Sequence, residues 1–125
     1  VPQLIVEGVS QQDFHAALDK AKQRQGIVLI DIAGAYEATV IKAIAASDLV
    51  ITPAKLSEPD LREAHRILTE VTTFNSRFKA NIIHRLLINE ADPLDSHYQR
   101  FFLQELQASP LRAFDNSMLK RFLMT

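Results

Sequence analysis

The stretch that most narrows what this chain can fold into is Ile27-Val28-Leu29-Ile30, four branched apolar residues in a row, followed by Asp31. No polar residue interrupts the run. A strand built from it must be covered on both faces, as in the interior of a parallel sheet flanked by helices. Asp31 then falls at the carboxyl end of that strand, where open α/β sheets place their ligands. Gly34 follows closely, and lacking a Cβ it lets the backbone turn or approach a ligand.

The rest of the chain alternates in the same sense. Leu4-Ile5-Val6, between Pro2 and Gly8, reads as an edge or near-edge strand. Ser10 is an expected N-cap, and Phe14, Ala17, Leu18 and Ala21 share one helical face. Lys20, Lys22 and Arg24 favour the negative end of that helix, which Gly26 is expected to stop. After the strand 27–32, Val40, Ile41, Ile44 and Ala45 form the stripe of a helix over 36–47. Leu49 to Thr52 reads as a short buried strand, with Pro53 expected to end it. Ser57 is expected to cap the longest helix, with Pro59 and Asp60 in its first turn. Leu61, Ala64, Ile67, Leu68, Val71 and Phe74 make its apolar stripe, and Asn75-Ser76 is expected to break it.

Ile82 to Ile88 reads as a strand interrupted by His84 and Arg85, closed by Asn89, with a turn at Asp92-Pro93. Leu94, His97 or Tyr98, Phe101, Phe102 and Leu106 mark a further helix, ending near Ser109-Pro110. A last short strand is expected over 111–114, and Met118, Leu119, Phe122 and Leu123 open another helical pattern. Strands alternating with helices predict an α/β fold over 1–125 as a single domain. Its sheet is expected to be doubly wound and mostly parallel, with flanking helices.

The chain has 125 residues, enough for a core, and carries 14 basic against 15 acidic side chains. No global field draws it to nucleic acid or acidic membranes. Without cysteine it has neither disulfides nor thiolate metal sites, which fits the cytoplasm. No apolar run approaches the ~20 residues that span a bilayer, so no membrane partner is expected.

Two readings of Asp31 and Gly34 stand side by side. An acid after a buried strand, then a close glycine, is how nucleotide-hydrolysing enzymes hold Mg²⁺ and sense a terminal phosphate. Equally, Asp31 is an ordinary cap for a helix starting near Ala35. His15, His65, His84 and His97 show no paired metal-ligand spacing, and no Gly-x-Ser-x-Gly or Ser-His-Asp pattern is present.

Four stretches taken together resemble a ParA/MinD-type ATPase of the deviant Walker A class, nearest to plasmid-partition ParA and VirC-like proteins. They are Asp31-Ile32-Ala33-Gly34; Ala46-Ser47-Asp48-Leu49-Val50-Ile51-Thr52-Pro53; Ser57-Glu58-Pro59-Asp60-Leu61; and Leu86-Leu87-Ile88-Asn89. The order and spacing agree over about Leu4 to Phe114. The resemblance implies a P-loop NTPase-like fold. It makes Asp31 the catalytic and Mg²⁺-organising acid and Gly34 the glycine that meets the γ-phosphate. It also makes Asn89 the residue that reads adenine, with Pro93 beside the base and Pro53 bordering the nucleotide.

Resemblance further implies ATP and Mg²⁺ as cofactors, ATP-driven homodimerisation, a partition or transfer partner protein, and nonspecific DNA binding in plasmid partition or DNA segregation. Arg77, Lys79, Arg85, Lys120 and Arg121 are the cations available for a DNA surface, or simply a solvated set balanced by the acids.

The family's phosphate loop, Lys-Gly-Gly-x-Gly-Lys-Thr, is absent, and the chain has three glycines and no Gly-Lys pair. Ile32 replaces the usual small polar residue after the acid. The first Val and the apolar end lead us to expect the carboxyl-terminal part of a longer ATPase, which would not hydrolyse ATP as this chain alone. The alternatives are a degenerate ParA-like scaffold for a protein partner, or a flavodoxin- or receiver-like domain. The receiver reading lacks its acid pair, since Glu7 stands alone, and the expected third strand ends in Thr52-Pro53.

Overall fold

The computed structural model describes residues 4–32, 37–89 and 97–115. The chain divides into two compact units, Val1–Ala46 and Ser47–Thr125. Among the described residues, four helices and a two-stranded parallel sheet make it a small α/β protein. Among the described residues no helix is long and apolar enough to cross a membrane.

The first unit holds helices α1 (Phe14–Lys22) and α2 (Glu37–Ala45). Ser10 does not cap α1 as expected. Asp13 occupies that position without a side-chain cap, and Ser10 Oγ instead accepts from Asp13 N–H at 3.3 Å, closing the preceding turn. Gly26 takes φ 114°, a backbone state that favours glycine, and an Arg24–Glu7 ion pair at 3.2 Å lies nearby in sequence. Ala43 and Ile44 of α2 are buried.

The runs Leu4-Ile5-Val6 and Ile27 to Ile32 were expected as strands, yet both are irregular. A strand is held by a hydrogen-bond ladder to a neighbour. Neither run has such a ladder among the described residues, and most of their branched side chains stand in solvent, Ile27 at 92% exposure, with Ile30 and Ile32 half-buried.

The second unit is built on a βαβ element: β1 (Leu49–Ala54), α3 (Glu58–Phe78) and β2 (Ile83–Ile88). The strands pair in parallel from Leu49↔Ile83 to Ala54↔Ile88. A parallel pair needs a long crossover, which the 21-residue helix α3 supplies. Ser57 caps α3 as expected, its Oγ accepting from Asp60 N–H at 3.4 Å. Glu58 and Asp60 stand at the positive end of the helix and Arg77 in its last turn, both favourable to the macrodipole.

Two boundaries differ from the sequence reading. Pro53 does not end β1, which runs on to Ala54. The carbonyls of Asp48 and Ala54 accept from Ile83 and Asn89 of the β2 segment. By alternation along the strand, the backbone of Pro53 faces the other edge, where no strand among the described residues pairs with it. Asn75 and Ser76 do not break α3 either. The helix continues to Phe78 and closes at Lys79, in the left-handed region at φ 52°.

β2 is bonded on both edges. Leu86 N–H donates to Arg112 O at 2.8 Å and Phe114 N–H to Leu86 O at 2.9 Å, an isolated parallel bridge to Ala113 in place of the expected last strand. Helix α4 (His97–Gln107) precedes this bridge. The core gathers Ala54, Leu86 and Ile88 from one sheet face with Ala64 of α3, Leu106 of α4 and Leu111. Leu56, Leu61, Leu68 and Leu103 pack around them. The helical pattern expected from Met118 onward lies outside the described residues.

Candidate functional site

The carboxyl ends of β1 and β2 lie side by side. Asn89 N–H, just past β2, donates to Ala54 O, the last residue of β1, at 2.8 Å. Pro53 is exposed one residue earlier on β1, and Asn89 is half-buried. Two residues named from sequence are thus brought to one end of one strand pair, the end at which parallel sheets bind ligands.

The chain leaves β1 through a tight turn into α3. Lys55 N–H donates to Asp60 Oδ2 at 2.8 Å, and Ser57 N–H donates to Lys55 O at 2.9 Å. Helix amino termini attract anions through unpaired N–H groups. Here the side chains of Ser57 and Asp60 already accept from backbone N–H groups of this turn, and Glu58 adds a negative charge. The turn is therefore closed on itself and is a poor cradle for phosphate.

Asp31 belongs to the other unit, where it is exposed in an irregular segment. Gly34 and Pro93 lie outside the described residues. Among the described residues no group of three or more His, Asp or Glu side chains is arranged to hold a metal ion. The residues described at the carboxyl ends of the strands are a carboxamide, Asn89, and a proline ring, Pro53. A carboxamide offers both a donor and an acceptor, and a proline ring offers a flat apolar contact.

The sequence reading passed over one polar pair. His84, expected to interrupt its strand, lies within β2 and is 5% exposed. Its Nε2 is 2.9 Å from Thr52 Oγ1 on β1. Burial, and then the charge of the adjoining Arg85, push the imidazole below its usual range. The signal was present: Ile82, His84, Leu86 and Ile88 alternate with period two, and all four are buried.

In comparisons with known proteins, no family model, curated protein or solved structure matches the chain.

Proposed function

We propose that this chain is part of a ParA-like ATPase acting in plasmid or chromosome partition or in DNA transfer, in the cytoplasm. In this reading the carboxyl ends of β1 and β2 border the base of an adenine nucleotide. The observation that supports it most directly is the bond from Asn89 N–H to Ala54 O, which holds Asn89 and Pro53 at the carboxyl end of the strand pair, where open α/β sheets commonly bind ligands. The finer fold proposed is a doubly wound, mostly parallel sheet, of which β1 and β2 are one part.

Asn89 would pair with the adenine edge, and Pro53 and Pro93 would flank the nucleotide. Asp31 would serve Mg²⁺ and Gly34 the terminal phosphate in the complete enzyme, which would dimerise on ATP and meet DNA and a partner protein. In this reading the described residues bear on the base only. They provide no glycine-rich N–H cradle and no Gly-Lys pair, so no hydrolytic step is assigned to this chain. The second reading is a ParA-like scaffold that binds a protein partner without catalysis.

Nucleotide titration followed by amide NMR separates the two. Millimolar ATP is expected to shift the Ala54, Lys55 and Asn89 signals, with CTP weaker. Asn89→Ala should weaken the effect about tenfold, the scale of one or two lost hydrogen bonds. Equal responses to ATP and CTP, or none, would overturn the nucleotide reading in favour of the scaffold.

A further inference from the structure

We propose that His84 is an acid-sensitive latch between β1 and β2: the strand pair is closed while the imidazole is neutral and opens when it takes up a proton. The geometry carries this independently of any nucleotide. His84 Nε2 meets Thr52 Oγ1 at 2.9 Å, a side-chain link across the two strands. Nδ1 is buried with no hydrogen-bond partner. A neutral ring tolerates that arrangement, because one nitrogen bonds the hydroxyl and the other carries at most a single unmet valence. A protonated ring carries N–H on both nitrogens. The Nδ1–H donor would then be buried, charged and without an acceptor, a costly state.

Among the described residues no carboxylate bonds the ring. On β2 the adjoining charged group is Arg85, whose guanidinium donates to His84 O at 2.8 Å and opposes a second positive charge. On β1 the ring meets the neutral Thr52, and Asp48 just before the strand is exposed. The stripe of α3 turned to the core, Leu61, Ala64, Leu68 and Val71, carries no ionisable group, nor do Leu103 and Leu106 of α4.

The direction follows from linkage. The folded imidazole binds its proton below the value of 6.5 expected for the open chain. Above that pH both states are neutral and the pair is closed. As pH falls below it, the open state is protonated first, so closure weakens until the folded ring also titrates, and then levels off. The opening constant rises by up to tenfold per pH unit inside this window.

The test uses the whole chain. Amide hydrogen exchange in β1 and β2 and the imidazole NMR titration are followed between pH 7.5 and 5.0, in the native protein and in His84→Gln. Gln retains a polar partner for Thr52 without a titrating ring. We expect exchange in the native protein to accelerate below pH 6.5, after correction for intrinsic rates, and to be nearly flat in His84→Gln. A native ring that titrates at 6.5 or above while the strands stay protected would overturn the latch. The same acceleration in both proteins would overturn it too. If His84→Gln does not fold, the titration and exchange of the native chain decide alone.

Discussion

Asn75 and Ile82 clasp each other in both directions. The Asn75 side-chain amide donates to Ile82 O at 2.9 Å, and Ile82 N–H donates back to Asn75 Oδ1 at 3.0 Å. The pair fastens the last turns of α3 to the entrance of β2. It also satisfies two backbone groups of Ile82, which lies just ahead of the ladder. Asn75→Ala should therefore lower stability by about 1–3 kcal/mol, the cost of leaving such groups unmet. Asn75→Asp keeps the acceptor and should lose less. Urea unfolding of the three proteins checks the order.

Leu86 is fully buried, at 0% exposure, where the sheet meets the core. Leu86→Ala removes the centre of the cluster formed with Ala54, Ala64, Ile88, Leu106 and Leu111. The loss should be about 3 kcal/mol from transfer and cavity terms together, read from the denaturation midpoint.

Lys79 closes α3 at φ 52° and ψ 40°, where a Cβ is unwelcome. Its N–H still caps Asn75 O, and any residue with a free N–H keeps that bond. Lys79→Gly should raise stability by up to about 1 kcal/mol, and Lys79→Val should lower it. Thermal unfolding of both variants provides the comparison.

On the outer face of α3, the Arg66 guanidinium bonds Glu63 at 2.6 Å. That hydrogen bond, helped by the Arg66 charge and opposed by slight burial, holds the Glu63 carboxyl below its usual range. A lowered folded value means stability that is present above pH 4.5 and lost as pH falls through the folded value. Both side chains are exposed, so the effect is small and salt-screened. Glu63→Gln should differ slightly from the native protein at pH 7 in low salt. As pH falls through the folded value, or in molar salt, the difference should shrink.

The strand ends were legible in part. Asn89 and Pro53 were named from sequence, and folding sets them at one end of the strand pair. His84 was passed over because a charged-looking pair, His84-Arg85, hides the two-residue alternation of β2.

Local signals determined the helices. Phe14, Ala17, Leu18 and Ala21 mark α1, and Ser57 with Pro59 and Asp60 marks the start of α3, because caps and apolar stripes act within four residues. The strands are another matter. Val50-Ile51 and Ile27-Val28 are equally branched and apolar, yet only the first pair lies in a strand. Leu49 to Ala54 has β2 alongside to accept and donate, and α3 to cover one face, whereas Ile27 to Ile30 has no ladder among the described residues. The tertiary structure alone decided that Pro53 stays in its strand, since its backbone faces an edge where no strand among the described residues pairs with it. It also decided that Asn75 serves β2 rather than ending its helix. A helix satisfies its backbone from within, while a strand and its register exist only through a partner distant in sequence.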